Sequence, residues 1–370
     1  MSQWGFLPEN LSCSYTTSLS ALSASQEKYN GSAYLSPSTK EPQQRVRHYS
    51  QPQKNGEQHN VAQYPPPAYT PTALEAKTNM SNNIQSKMTR HQYAQDNILQ
   101  SYDVYVAEDA PEQGYWIIYI HGGYFRDPNV TSTSFLPALS LLASSSVANE
   151  IVGYASLNYR LSKHERYPQD ETNTPTYELR NALWLDHFND VRAAIAHLQR
   201  KYSFGSNYLL VGHSVGATMA LLYTLGALTP SEVEIPPPRI VPPTAVLGVS
   251  GIYDIEALHK SFPGYIDITS NAIPKPQDHV TASPARRPIS EFWTKTIILA
   301  HSHDDGLVDW QQVDLMREIF EQKPQEGGTV KSVRVVEIHG KHNEIWEKGT
   351  ELATAISEAL TEIRKIEASW

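Results

Sequence analysis

The chain has 370 residues, 40% of them hydrophobic, a formal net charge of −9 and one cysteine, Cys13. The acidic balance argues against nucleic acid or an anionic membrane surface as a main partner. A single thiol excludes internal disulfides and a thiolate metal cage, and suits a reducing compartment. No basic start followed by an apolar stretch marks a secretory signal, and no apolar run reaches membrane-spanning length, so the cytoplasm is the expected location.

Residues 1–95 are rich in Ser, Gln, Asn, Pro and Tyr, as in Tyr64-Pro-Pro-Pro-Ala-Tyr69, and show no sustained period of two or of 3.6. Such a segment buries too little apolar surface to offset the entropy of ordering it, so it is expected to be a disordered tail. Pro65-Pro66-Pro67 could offer a ligand to a small recognition module, an inert tail being the plainer expectation. The first 98 residues carry a net +2 and the remainder −11, so the acidity belongs to a domain expected over residues 96–370.

Within that domain, residues 102–106 alternate and predict a strand. Tyr115 to Ile120 is a continuous apolar run, as in a strand covered on both faces, and leads into His121-Gly122-Gly123-Tyr124. Ile151 to Leu157 predicts another strand, followed by Asn158-Tyr159-Arg160-Leu161 and a polar insertion, Ser162 to Arg180. An amphipathic helix is predicted over about 184–202, with Phe188, Val191, Ile195 and Leu198 on one face. Leu209-Leu210-Val211 runs into Gly212-His213-Ser214-Val215-Gly216 and a small-residue helix. Six prolines between Pro230 and Pro243 require a loop. Residues 245–250 and 296–300 predict strands, with 254–292 irregular between them. A helix over 310–320, a last strand over 333–338 and one long closing helix over 343–366 complete the chain. Buried strands alternating with helices imply a mostly parallel sheet with helices on both faces, an α/β fold.

In such sheets the working groups collect at the carboxyl ends of the strands. Gly212-x-Ser214-x-Gly216 after a buried strand presents a serine on a sharp bend, its glycines allowing strand and helix to approach closely. A serine hydroxyl needs a base, and the base needs an acid to hold its tautomer. Later strand ends supply both, in the order serine, aspartate, histidine. His301-Ser-His-Asp304-Asp305-Gly-Leu-Val308 offers Asp305 or Asp304, with Asp305 preferred. His339-Gly-Lys-His342 offers His342 or His339, with His342 preferred and His339 expected to pack. The N–H groups of Gly122, Gly123 and Val215 are candidates to stabilise an oxyanion.

His121-Gly-Gly, Tyr159-Arg160-Leu161 with Tyr167-Pro168, and Gly212-His-Ser-Val-Gly216 together resemble the hormone-sensitive lipase-like branch of the α/β-hydrolases. Leu99-Gln100 with Asp103-Val104-Tyr105, His121-Gly-Gly-Tyr-Phe-Arg-Asp-Pro128, Ser250-Gly-Ile-Tyr-Asp254, Ala282-Ser-Pro284 and His342-Asn-Glu-Ile-Trp346 are similar to fungal kynurenine formamidases (arylformamidases). The resemblance covers about residues 93–370. It departs at the long 162–180 insertion and the Pro-rich 254–292 segment, where substrate contacts cannot be carried over. It implies hydrolysis of N-formyl-L-kynurenine to L-kynurenine and formate, in tryptophan degradation toward NAD. It also implies a small-molecule substrate, no cofactor and no metal, with a homodimer as one option for assembly. Ser214 would be the nucleophile, His342 the base and Asp305 its orienting acid. Tyr124, Phe125, Tyr253, Tyr265 and Trp346 are candidate aromatic walls. Arg126 could meet a substrate carboxylate, a solvated surface position being the plainer expectation. Three rivals stay open: a general carboxylesterase or lipase with the same triad, a metal-dependent hydrolase using His301-x-His303-Asp304-Asp305, and a non-catalytic binding protein on the same fold.

Overall fold

The computed structural model describes residues 82–224, 241–287, 294–321, 330 and 332–368. Residues 1–81 of the tail expected over 1–95, and most of the proline-rich loop after the central helix, lie outside these residues. Eight strands form one sheet: β1 (Thr89–Gln92), β2 (Ser101–Tyr105), β3 (Tyr115–Ile120), β4 (Ile151–Leu157), β5 (Tyr208–His213), β6 (Ala245–Val249), β7 (Thr296–Ser302) and β8 (Ser332–Ile338). Their spatial order is β1-β2-β4-β3-β5-β6-β7-β8. The β1/β2 and β2/β4 pairs are antiparallel, and all others are parallel. The sheet therefore begins at Thr89, inside the segment assigned to the tail. β1 is short and largely exposed, so it carries no apolar run that would reveal it.

Alternate residues of the central strands point to opposite faces. Ile118, Ile120, Leu210, Val246, Ile297 and Leu299 belong to one buried layer. Ile117, Tyr119, Leu209, Val211, Leu247 and Ile298 belong to the other. Four helices close these layers: α1 (Leu136–Leu142), α2 (Asp186–Tyr202), α3 (Val215–Thr224) and α9 (Thr350–Glu367). α2 buries Phe188, Val191, Ala194, Ile195 and Leu198 against the first layer. Every residue of α3 is buried, which explains a composition apolar on all sides. α1 and α9 cover the second layer.

Two segments differ from expectation. Residues 254–292 are not irregular throughout but hold α4 (Ile255–Ser261), α5 (Tyr265–Ala272) and α6 (Pro276–Thr281). Asp254 caps α4 through a side-chain bond to the Ala257 N–H at 3.0 Å, and Pro276 occupies the first turn of α6, where its missing N–H costs nothing. The closing helix is interrupted, with α8 (Glu344–Lys348) separated from α9 by Gly349 at φ 71°. A Cβ at Gly349 would stand 2.4 Å from the Ala138 nitrogen, so the break lets the chain pass close to α1. A further helix, α7 (Gln311–Glu321), follows β7 as expected.

Candidate active site

Four strand ends meet at the carboxyl edge of the sheet. β5 ends in His213, and Ser214 follows at φ 56°, the strained left-handed conformation expected of a serine on a strand-to-helix bend. The flanking glycines are sterically required. A Cβ on Gly212 would lie 2.2 Å from the Gly216 carbonyl oxygen, and one on Gly216 would lie 2.2 Å from that of Ile120. The Ser214 N–H is bonded to the Val249 carbonyl at 2.9 Å, which fixes the bend to β6.

The loop after β3 runs beside this serine. A Cβ on Gly122 would stand 3.0 Å from Ser214 Cβ, so any side chain there would press on the serine. The N–H groups of Gly122 and Gly123 meet no acceptor among the described residues. Val215 begins α3, where backbone N–H groups have no intrahelical acceptor. Of the three predicted donors, Gly122 lies beside the serine, Val215 follows it in the chain and Gly123 is next to Gly122. Tyr159 holds the loop from behind, its hydroxyl donating to the carbonyls of His121 and Gly122 at 3.1 and 2.8 Å. The His121 ring stacks on Tyr159 with centroids 4.3 Å apart, and burial holds its pKa down to about 4.

Asp305 is the carboxylate brought to His342. Its Oδ2 accepts from His342 Nδ1 at 2.8 Å, and its Oδ1 accepts from the N–H groups of Leu307 and Val308 at 3.0 and 2.9 Å. Burial alone would raise the pKa of Asp305, but the His342 bond and charge and the two N–H donors outweigh it and bring it to about 2. Asp304 is exposed. With Nδ1 committed to Asp305, the Nε2 of His342 is the nitrogen left to exchange a proton. No hydrogen bond joins Ser214 Oγ to His342 among the described residues. The two are nevertheless linked through His213, the serine's neighbour, whose ring centroid is 4.7 Å from that of His342. Catalytic bonds of this kind are commonly loose before substrate binds. His339 is exposed rather than packed.

The aromatic candidates divide. Tyr124 stands with Tyr265, their centroids 4.8 Å apart, and its hydroxyl meets Thr269 Oγ1 of α5 at 2.6 Å. Phe125 is turned inward, 1% exposed, its ring against His187 and Trp184. Tyr253 is fully buried and lies over Gly248 and Gly251, either of which would collide with its ring or hydroxyl if it bore a Cβ. Trp346 packs into the second layer, on the α1 and α9 side of the sheet. Phe125 and Tyr253 are therefore core residues, and Trp346 is partly buried against that layer. The His301-x-His303 pair is engaged elsewhere: His301 bonds the Val308 carbonyl at 3.0 Å, and His303 stacks on Trp310 at 3.8 Å. Among the described residues no group of three His, Cys, Asp or Glu side chains is disposed to hold a metal ion.

Sequence reasoning missed Asp190. This buried α2 residue accepts from Gln100 Nε2 at 2.9 Å and from the Arg160 N–H, Nε and Nη2 at 2.9, 2.8 and 2.9 Å. It ties the loop before β2 and the loop after β4 to one helix. Its polar position on an otherwise apolar stripe was the available signal.

No protein-family model matches the chain. It is 32% identical over 264 residues to the kynurenine formamidase-like hydrolase fscH of Fusarium equiseti, spanning 69% of this chain and 86% of the relative. It is 32% identical over 258 residues to the kynurenine formamidase avaC of Aspergillus versicolor, spanning 63% and 84%. The chain belongs to the kynurenine formamidase family. A kynurenine formamidase of Meyerozyma guilliermondii is 30% identical over 212 residues, spanning 56% and 71%. Among solved structures, esterase B of Lactobacillus rhamnosis superposes with a TM-score of 0.55 at 14% identity, over 80% of this chain and 96% of that one. Esterase 2 of Thermogutta terrifontis superposes with a TM-score of 0.54 at 14% identity, over 76% and 95%. At such identities the likeness concerns the fold, which is the esterase-type α/β-hydrolase fold expected of the family. No helix among the described residues is long and apolar enough to cross a membrane.

Proposed function

We propose that the protein hydrolyses N-formyl-L-kynurenine to L-kynurenine and formate, with Ser214, His342 and Asp305 as the catalytic triad. The observation that carries the reading is the 2.8 Å bond from His342 Nδ1 to a buried Asp305, at the strand ends beside the Ser214 bend. In a kynurenine formamidase family member this supplies what an aryl formamide requires. Ser214 Oγ attacks the formyl carbon while its proton passes to His342 Nε2. The negative oxygen of the tetrahedral adduct meets the N–H groups of Gly122, Gly123 and Val215, each worth on the order of 3 kcal/mol. His342 then protonates the departing aryl amine, leaving a formyl ester on Ser214. Water gives its proton to the same imidazole, attacks that ester and releases formate, which restores the serine. This step belongs to tryptophan degradation toward NAD.

The test is formate release from N-formylkynurenine, set against hydrolysis of a short p-nitrophenyl ester. The wild type is expected to favour the formamide by kcat/KM. Ser214→Ala should lose at least about a thousandfold in kcat, as removal of a triad nucleophile does. Full activity in that variant would remove Ser214 from the mechanism. An ester turned over far faster than the formamide would make the protein a general carboxylesterase.

A further inference from the structure

Arg126 stands on the turn that carries the oxyanion donors. Its N–H and that of Asp127 both donate to the Gly123 carbonyl, at 3.0 and 2.9 Å. Its side chain is only 11% exposed, which departs from the solvated surface position expected of it. Nη1 donates to Glu165 Oε2 in the 162–180 insertion. The other oxygen of Glu165 accepts from Asn271 Nδ2 on α5. Among the described residues no acceptor engages Arg126 Nε or Nη2, so one edge of the guanidinium keeps its two donors. A guanidinium edge of this kind matches a carboxylate in two-pronged fashion.

The pair is tied to α5 through Asn271, and α5 begins with Tyr265. The Tyr265 hydroxyl is pushed up to about 12 by burial, with Asp305 adding to the rise and Arg126 opposing it. That phenol packs on Tyr124, a buried residue next to the glycine loop. As a clamp for the loop the pair is poor, because Glu165 is 57% exposed and ion pairs with an exposed partner add little stability. As a recognition element it is well matched. A positive and a negative side chain next to each other complement a carboxylate and an ammonium on one carbon.

We propose that Arg126 and Glu165 form the subsite for the α-amino-acid end of the substrate. Arg126 receives the carboxylate and Glu165 the ammonium, while the aryl ketone lies along Tyr124 and Tyr265. The proposal rests on the formamidase reading and extends it from the reacting formyl group to the far end of the molecule.

The experiment compares N-formyl-L-kynurenine with ortho-formamidoacetophenone, which keeps the aryl formamide and the ketone but lacks the amino acid, using the full chain. The wild type should favour N-formylkynurenine by about tenfold or more in kcat/KM. Arg126→Met should lower kcat/KM for N-formylkynurenine by at least about tenfold, mainly through KM, and leave the truncated substrate within about twofold. Glu165→Gln, at an exposed position that folding tolerates, should show the same pattern with a smaller loss. Arg126→Lys provides a folded comparison if the methionine variant is unstable, and should lose less than methionine. Equal losses on both substrates would make the pair a loop clamp, and no loss on either would remove it from binding; each overturns the subsite. A wild type that cleaves both substrates alike also overturns the subsite but leaves the formamidase reading standing. A wild type that leaves N-formylkynurenine uncleaved overturns both.

Discussion

His213 has no place in the proposed triad, yet it bonds the backbone of His342, the proposed base. Its Nε2–H donates to the His342 carbonyl at 3.1 Å, its ring faces the His342 ring at 4.7 Å, and its Nδ1 meets no partner. Burial, assisted by the neighbouring His342 charge, keeps its pKa well below the usual histidine range, so the ring is neutral and carries its single proton on Nε2. That proton couples the serine bend directly to the loop bearing the base. His213→Ala should therefore lower kcat by between about tenfold and a hundredfold, the scale of a small misplacement of a reacting group, with KM nearly unchanged. His213→Gln, whose amide N–H can replace the donor, should recover most of the loss. Equal kcat in the wild type and the alanine variant would show that the contact positions nothing. The proposed triad could be read from the sequence because its chemistry forces local pattern: glycines where backbones nearly touch, and serine, acid and base in a fixed order after successive strands. The aromatic walls were not legible. Whether Tyr253 or Trp346 faces a substrate or a core depends on which face of the sheet the following turn delivers it to, and nothing within a few residues of either position states that.

At the scale of elements, the inner strands β3, β4 and β5 could be read to within about two residues because they are buried on both faces and form largely apolar runs. α2 was equally plain, its apolar stripe matching the buried face. α4, α5 and α6 were hidden because helices of six to eight residues have little intrinsic stability and depend on what they cover. Gly349 was hidden because its role, a close pass by α1, is a long-range fact. Asp190 shows how loops beside the site are anchored to such elements. Replacing it by alanine leaves the Arg160 guanidinium without its two-pronged partner, and leaves the Gln100 amide unpaired. Breaking a buried pair costs on the order of 3–5 kcal/mol. Here the cost should be about 2–3 kcal/mol, because Arg160 keeps 27% exposure and Asp186 remains at 3.4 Å. Urea denaturation of Asp190→Ala against the wild type measures it, and a change within about 0.5 kcal/mol would contradict the anchoring role.

The whole molecule confines several imidazoles to places where a charge cannot be solvated, and this sets how it should respond to acid. Burial holds His121 to a pKa of about 4 and His187 to about 3, each fully enclosed, and it lowers His213 and His301 as well. In the unfolded chain a histidine titrates near 6.5. Between that value and the depressed folded value, the unfolded state binds a proton that the folded state refuses. Stability is therefore fully present above about pH 6.5 and declines as pH falls below it, by on the order of 2 kcal/mol per such histidine at pH 5. The triad carboxylate acts in a lower window. Asp305, held at about 2, contributes stability that is present above the ordinary carboxylate value and is lost only as pH falls toward 2. Unfolding free energies measured at pH 7 and pH 5 should thus differ by several kcal/mol while the carboxylates are still ionised. His187 isolates one contribution, because it lies outside the proposed chemistry and bonds only Ser162 through Nε2 at 2.9 Å, its Nδ1 having no partner. His187→Gln removes one proton-binding site from the unfolded chain. Whatever it does to stability at pH 7, the fall from pH 7 to pH 5 should shrink by about 2 kcal/mol. A variant whose stability fell as steeply as the wild type's would show that His187 already accepts its proton in the folded molecule, and that burial does not keep this ring neutral.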